Sequence, residues 1–150
     1  ATCIVSCLYA HDADQEVTMA KILIVDDALS VRETVCMFFT KHGFSITSAY
    51  DGQNGLDKLA ADPDIKLVFA DVNMPNMNGI EMTEHIFQTL KRDVTVIMLT
   101  TDNNPAMKEE GKAVGVMGWM VKPFTGDNIL DTVKKIVADW SQCLTLIKIL

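Results

Sequence analysis

The chain has 150 residues, of which 49% are hydrophobic and 22% charged, a balance typical of one compact domain and unlike that of disordered or fibrous chains. Thirteen Lys and Arg against twenty Asp and Glu give a formal charge of −7, which argues against direct binding to nucleic acid or to anionic membranes. The apolar runs are too short for a membrane span, and the N-terminus lacks the basic segment of a signal peptide, so we expect a cytoplasmic protein.

Three segments are expected along the chain. Met19 reads like a natural start, so residues 1–18 are interpreted as an added N-terminal extension. Residues 19–140 are predicted to fold as one domain. Residues 141–150 are predicted to form a C-terminal helical extension or a tail.

The chain contains four cysteines, and their spacing does not fit a zinc site. They are Cys3, Cys7, Cys36 and Cys143. We expect reduced thiols, with Cys36 in the core because it falls inside an apolar helical pattern.

Short apolar runs alternate with segments of helical period between residues 20 and 139. The predicted strands are 22–25, 45–49, 67–70, 94–99 and 119–121, and the predicted helices are 29–42, 52–60, 79–90, 105–114 and 127–139. Such strand–helix units predict parallel strands joined by crossover helices. The fully apolar strand 22–25 is typical of a sheet buried on both sides. The predicted fold class is therefore α/β, a doubly wound, five-stranded parallel sheet with helices on both faces.

Side chains that carry chemistry follow four of the five predicted strands. Asp26 and Asp27 come after the first strand, Asp71 after the third, Thr100 after the fourth and Lys122 after the fifth. Because sites in such sheets form beyond the carboxyl ends of the strands, we expect these groups to meet. Three carboxylates and one ammonium leave a charge of about −2, which one divalent, oxygen-binding cation would neutralise. The sequence therefore predicts a Mg²⁺ site.

This combination suits phosphoryl transfer to a carboxylate. Mg²⁺ keeps positions open for phosphoryl oxygens, while an ammonium and a hydroxyl can bind the remaining oxygens. Asp71 is the best candidate nucleophile, because it stands alone after the central strand and precedes a turn at Met74-Pro75. Each residue alone also has an ordinary explanation as a turn former, helix cap, strand terminator or solvated lysine. Those explanations do not predict that four strand ends carry the groups of one chemistry.

Four segments together resemble the receiver domain of two-component response regulators. They are Ile22–Asp27, Asp71–Gly79, Met98–Thr101 and Lys122–Phe124. The resemblance spans about residues 20–139 and implies a flavodoxin-like sheet with the strand order 2-1-3-4-5. The stretch from Glu110 to Phe124 resembles stand-alone chemotaxis receivers in particular.

The resemblance implies a role for each residue of the predicted site. The phosphohistidine of a histidine kinase would donate its phosphoryl group to Asp71. Mg²⁺ would be held by Asp26, Asp27, Asp71 and the backbone carbonyl of Asn73. Lys122 would contact the phosphoryl group.

The resemblance also implies a switch and a timer. Thr100 would move inward to hydrogen-bond the phosphoryl group, and Trp119 would turn into the freed space. Such receivers usually have Tyr, Phe or His at position 119, and the larger Trp needs a larger cavity. Thr101 adds bulk where Ala or Gly is common and would slow small phosphodonors. Asn73 and Asp102, two residues past Asp71 and Thr100, can admit and orient a water, which predicts a phosphoryl lifetime of seconds to minutes.

The function predicted from the sequence is a phosphorylation-activated signalling switch, most consistent with chemotaxis. It would catalyse only its own phosphotransfer and autodephosphorylation and is not otherwise an enzyme. Its partners would be a histidine kinase, a downstream target such as the flagellar motor switch, and a phosphatase. A phosphate sink or a phosphorelay intermediate remains the alternative.

Two proteins of related chemistry or topology fit less well. A hydrolase of the haloacid dehalogenase type carries an Asp-x-Asp motif after its first strand, and the adjacent acids Asp26-Asp27 do not match that motif. A flavodoxin needs a phosphate loop there, and two acids would repel the flavin phosphate. A transcription factor is not expected, because too few residues follow Asp139 for a DNA-binding segment.

Two further expectations concern the end of the domain. The Lys122–Pro123 peptide is predicted to be cis, aiming the ammonium at the acidic residues. Apolar residues also recur at heptad-like spacing. They are Val133, Val137, Trp140, Leu144 and Ile147. This stripe predicts a long C-terminal helix that forms a homodimer or pairs with residues 3–9; the alternatives are a helix that stops near residue 140 and a strand over 144–150.

Overall fold

A computed structural model describes residues 21–101, 104–122 and 126–136 of the chain. Five parallel strands form one sheet in the order β2-β1-β3-β4-β5. The strands are β1 (Lys21–Val25), β2 (Ile46–Ala49), β3 (Ile65–Asp71), β4 (Thr95–Thr100) and β5 (Gly118–Val121). This order confirms the predicted flavodoxin-like, doubly wound α/β fold.

A helix follows each strand. The helices are α1 (Leu29–Lys41), α2 (Gly52–Ala61), α3 (Gly79–Gln88), α4 (Pro105–Val114) and α5, which covers 126–136 of the described residues. Asp51, Asn78 and Asn104 accept hydrogen bonds from backbone amides in the first turns of α2, α3 and α4. These side chains satisfy amides that a helix leaves unpaired at its start. They therefore fix where each helix begins after its strand.

Buried apolar side chains cover both faces of the sheet. Neighbouring residues of a strand point to opposite faces, so Leu23 and Ile24 of β1 belong to different hydrophobic clusters. One cluster includes Leu56 and Leu59 of α2 and Met82 and Ile86 of α3. The other includes Val35 and Phe39 of α1 and Ile129 and Leu130 of α5. The sheet is thus the middle of three layers, and its carboxyl edge is left for polar side chains.

Arg92 ties together the amino edge of the sheet. Its guanidinium donates hydrogen bonds to the backbone carbonyls of Leu59, Asp62 and Ile65, which joins the end of α2 to the start of β3. Lys21, the first residue of β1, forms an ion pair with the Asp62 side chain. Two cations therefore stabilise the edge opposite to the predicted site.

The observed bounds agree with the predicted ones to within two residues, and those of α4 are the same. β3 begins at Ile65 and not at the predicted residue 67. The prediction started too late because the exposed Lys66 interrupts the apolar run of an otherwise buried strand. β4 extends to Thr100, which places the predicted switch residue inside the strand. Cys36 was predicted to be core; its thiol is free, and the residue is half-buried and packs against the cluster beneath α1 and α5.

Several predictions fall outside the described residues. They concern the extension 1–18, the segment 137–150 with its stripe and homodimer, Cys3, Cys7, Cys143, Asp102 and the Lys122–Pro123 peptide. Val133, the first residue of the stripe, is described and is fully buried within the domain. Within the described part of the chain, no helix is long and apolar enough to cross a membrane.

Candidate functional site

Three carboxylates meet at the carboxyl edge of the sheet. Asp26 follows β1 directly and Asp71 ends β3, and these strands are neighbours with Val25 paired to Ala70. Oxygen atoms of Asp26, Asp27 and Asp71 all lie within 4.8 Å of one another. Asp26 and Asp71 are buried, whereas Asp27 is exposed. The structure thus brings together the three carboxylates that the sequence predicted at the ends of the first and third strands.

Lys122 bridges two of these carboxylates. Its Nζ lies 2.7 Å from Oδ2 of Asp26 and 3.1 Å from Oδ2 of Asp71. The side chain follows β5 and is only 16% exposed. Because it is one cation facing three acids, the described cluster keeps a net charge of about −2 when all four groups are ionised.

The buried pair perturbs the ionisation of both partners. Burial raises the pKa of Asp71 above its ordinary value of 3.8, and the charge of Asp26 acts in the same direction, against the charge and hydrogen bond of Lys122. Burial by itself would lower the pKa of Lys122, but the hydrogen bond and charge of Asp26, with the charge of Asp71, raise it above 10.5. Lys122 is therefore a fixed cation at neutral pH, and Asp71 is an acid that is harder to ionise than an exposed one.

Asp26 is held on several sides. Its Oδ1 accepts a 2.9 Å hydrogen bond from the amide of Ala28, and its backbone carbonyl accepts a 2.6 Å hydrogen bond from Nη1 of Arg32. Its own amide donates to the carbonyl of Ala49 on β2. These bonds fix the turn between β1 and α1 that presents both acids. Sequence reasoning missed Arg32, because only its three-dimensional position shows that it reaches back to this turn.

A strained loop follows Asp71. The amide of Asn73 donates a 3.1 Å hydrogen bond to Oδ1 of Asp71, and Asn73 itself is exposed. The amide of Met77 donates to the carbonyl of Pro75 across Asn76, whose φ is +70°. This is a γ-turn with a left-handed central residue, an uncommon conformation outside glycine. These hydrogen bonds constrain the backbone of the loop and hold Asn73 beside the candidate nucleophile.

Thr100 and Trp119 lie on neighbouring strands. Thr100 is fully buried at the end of β4, and its carbonyl accepts a 2.7 Å hydrogen bond from the amide of Lys122. Trp119 pairs in register with Met98, two residues before Thr100, so both side chains belong to the same face of the sheet. The indole is half-buried and packs against the cluster on that face. The predicted switch residues are therefore neighbours, with the backbone of Thr100 tied to Lys122.

The residues of the cluster fit a magnesium ion. Mg²⁺ prefers oxygen ligands and is commonly held by one or two carboxylates together with water and phosphate oxygens. The cluster offers carboxylates from Asp26, Asp27 and Asp71 with ligand atoms within 4.8 Å. Asp27 faces solvent, which leaves a route for a hydrated cation to enter. The donor set and its residual negative charge both suit this ion.

Comparison with known proteins identifies the family. The sequence model described as "Response regulator receiver domain" matches residues 22–134. The chain is 35% identical over 116 residues to Sporulation initiation phosphotransferase F of Bacillus subtilis, covering 77% of this chain and 91% of that protein.

Two solved structures extend the similarity to the fold. Chemotaxis response regulator CheY4 of Vibrio cholerae has a TM-score of 0.74 and 38% identity, over 79% of this chain and 99% of that one. A chain of the CheX-CheY-BeF3-Mg+2 complex from Borrelia burgdorferi has a TM-score of 0.72 and 29% identity, over 77% of this chain and 87% of that one. The chain therefore belongs to the family of response regulator receiver domains, the phosphorylation switches of two-component signalling.

Proposed function

We propose that this chain is a receiver that accepts a phosphoryl group on Asp71 from the phosphohistidine of a histidine kinase. One observation carries the assignment, namely that Nζ of Lys122 is hydrogen-bonded to both Asp26 and Asp71. The arrangement sets a cation and a second acid directly beside the candidate nucleophile. A carboxylate that served only to stabilise the fold would not need a further exposed acid, Asp27, at the same point.

The proposed transfer is a single displacement at phosphorus. A carboxylate oxygen of Asp71 attacks, an O–P bond forms as the N–P bond of phosphohistidine breaks, and the electron pair of that bond returns to the imidazole nitrogen. Lys122 then turns its ammonium from the Asp71 carboxylate to a phosphoryl oxygen. Thr100 donates its hydroxyl to another phosphoryl oxygen.

Asp26, Asp27, Asp71 and the backbone carbonyl of Asn73 would hold the metal in this proposal. When bound, Mg²⁺ neutralises charge on the phosphoryl oxygens during the transfer. Asp26 is already oriented by the amide of Ala28 and, through its backbone, by Arg32. The first acid is thus positioned before a cation arrives, and the exposed Asp27 is the one that must adjust.

The reset is proposed to be hydrolysis of the aspartyl phosphate by the protein itself. Asn73 and Asp102 are the residues assigned to admitting and orienting the water, with a lifetime of seconds to minutes. The chain would turn over no substrate other than its own phosphoryl group. It would therefore act as a signalling protein and not as an enzyme in a metabolic reaction.

The output we propose is chemotaxis, through a change of binding partner. The similarity to CheY4 of Vibrio cholerae supports this choice. The partners would be a histidine kinase, a downstream target such as the flagellar motor switch and a phosphatase. The proposed location is the cytoplasm. The alternative is a phosphorelay intermediate or a phosphate sink, and the similarity to a sporulation phosphotransferase is the reason to keep it.

The phosphoryl assignment is tested with a small phosphodonor. The chain is incubated with acetyl phosphate and Mg²⁺, and the modified residue is located by mass spectrometry after borohydride reduction. We expect the label on Asp71, its loss in Asp71→Asn, and no change in the control Asp57→Asn, an exposed acid on α2. Labelling that persists in Asp71→Asn would overturn the assignment.

The output is tested by partner capture with and without beryllofluoride, which stands in for the phosphoryl group. We expect a motor-switch protein to be retained only in its presence. Retention of a histidine-containing phosphotransfer protein alone, together with an aspartyl phosphate that survives overnight, would favour the relay.

A further inference from the structure

Helix α4 has a glycine at the centre of the side that faces the sheet. Among its ten residues, Gly111 is the buried one. Met107 and Val114, one turn away on either side, are half-buried and pack against the core cluster. This spacing of four and three residues defines the inner face of a helix. The middle of that face therefore carries no side chain of its own.

The indole of Trp119 fills the place of the missing side chain. A Cβ built on Gly111 would overlap with Cζ2 of Trp119, and it would lie 3.2 Å from Cη2 of the same ring and 3.3 Å from Cγ2 of Val116. Both indole atoms belong to the six-membered ring that is fused beyond the five-membered ring, and Tyr, Phe and His, with a single ring each, have no such second ring. The contact with α4 is therefore made by the bulk that distinguishes Trp119 at this position.

We propose that Gly111 is the positioning residue for Trp119, and that the notch it leaves in α4 holds the indole in the resting state. The proposal rests on the proposed function and on the expectation, implied by the family resemblance, that Trp119 turns inward when Asp71 is phosphorylated. It adds that the resting position of the switch is set by α4 and not only by the space beside Thr100. It also explains how the indole is accommodated at position 119, where such receivers usually have the smaller ring of Tyr, Phe or His.

The pairing makes the attachment of α4 depend on the indole. Glycine lowers the intrinsic stability of a helix relative to alanine, so a glycine at this position is unfavourable unless the space is needed. When the indole leaves the notch, α4 loses the contact at the centre of its inner face. Release of Trp119 therefore weakens the attachment of α4 to the sheet. A movement of the indole on β5 is in this way coupled to the position of α4.

The proposal is tested in the 150-residue chain carrying Trp140→Phe, so that Trp119 is the one tryptophan left of the two. Gly111→Ala is made with Trp119 present and again with Trp119→Leu, whose side chain is too short to reach the notch. We expect Gly111→Ala to lower the melting temperature with Trp119 and to raise it with Leu at position 119. A shift of the same sign in both backgrounds would overturn the proposal.

Fluorescence of Trp119 gives a readout that helix stability alone would not move. Before phosphorylation, Gly111→Ala should shift the emission to longer wavelength and increase quenching by acrylamide. Unchanged emission and quenching would contradict the proposal, while a variant that unfolds with Trp119 but folds with Leu would support it.

Beryllofluoride with Mg²⁺ separates this proposal from the proposed function. We expect it to change the Trp119 emission in the Trp140→Phe protein and to change it much less when that protein also carries Gly111→Ala. If it changes neither protein while Gly111→Ala alone shifts the emission, the switch role fails and the notch stands. If it changes both proteins equally, the switch role stands and Gly111 does not position the ring.

Discussion

The first residue of α3, Gly79, lies against the backbone of Asp71. A Cβ built on Gly79 would be 2.5 Å from the carbonyl oxygen of Asp71 and 2.9 Å from the sulfur of Met98. The amide of Gly79 also donates a 3.0 Å hydrogen bond to the carbonyl of Val72. A side chain at this position must therefore displace either α3 or the strand that carries the candidate nucleophile.

Replacing Gly79 with alanine should damage both stability and phosphorylation. Overpacking against a backbone carbonyl is expected to lower the free energy of unfolding by about 2 kcal/mol, measured by urea denaturation, and to slow labelling of Asp71 by acetyl phosphate. Gly52→Ala is the matched control, because Gly52 also begins a helix but its Cβ would meet the flexible side chain of Met77. A Gly79→Ala protein as stable and reactive as the control would show that the contact is unimportant.

Removing a carboxylate should stabilise the metal-free protein. Like charges about 4 Å apart repel by about 1 kcal/mol or more, so Asp27→Asn is expected to raise the melting temperature without Mg²⁺. Mg²⁺ should raise the melting temperature of the unsubstituted protein and have little effect on Asp27→Asn. Asp131→Asn, an exposed acid on α5, should leave both values unchanged. If millimolar Mg²⁺ shifts neither protein, the metal assignment is wrong.

Loss of Lys122 should make Asp71 still harder to ionise. Burial raises the pKa of Asp71, and the charge and hydrogen bond of Lys122 oppose that rise. In Lys122→Met the carboxyl group is therefore expected to stay protonated to a higher pH, which carbon NMR of the Asp71 side chain can follow in metal-free buffer. Lys41→Met, at the exposed end of α1, is the control. An unchanged or lower Asp71 pKa in Lys122→Met would contradict the described pairing.

Arg92 should matter for stability but not for chemistry. It donates to the carbonyls of Leu59, Asp62 and Ile65 at the amino edge, and hydrogen bonds from charged groups are the stronger ones. Arg92→Met is expected to lower the free energy of unfolding by about 2 kcal/mol with the phosphorylation rate of Asp71 unchanged. Lys91→Met removes a neighbouring exposed charge and should be close to neutral. Slower phosphorylation of folded Arg92→Met would refute this separation of the two edges.

The sequence was sufficient to predict the strands and helices because the signals for them are local. The apolar strand at 22–25 and the helix at 105–114 could be predicted since burial and periodicity are properties of neighbouring residues. The meeting of Asp26, Asp71 and Lys122 followed from one further rule, that parallel strands share a carboxyl edge. Which strand lies beside which came with the family resemblance.

The contacts that the sequence did not predict depend on distances between remote segments. Arg32 and Arg92 both donate to backbone carbonyls. Every residue has a backbone carbonyl, so the sequence does not show which one an arginine will contact. The close approach of Gly79 to Asp71 and of Gly111 to Trp119 had one visible signal, a glycine at or inside a predicted helix. That signal shows that space is needed but does not identify the group that fills it.

The crowding of Asp26, Asp27 and Asp71 within 4.8 Å has a consequence for laboratory evolution. Selection for heat resistance alone favours any substitution that reduces this local negative charge. Variants selected in that way should therefore first replace one of these three acids and lose the ability to be phosphorylated. A library screened in alternate rounds for melting temperature and for Asp71 labelling should instead concentrate its gains at the opposite edge of the sheet, around Lys21 and Asp62.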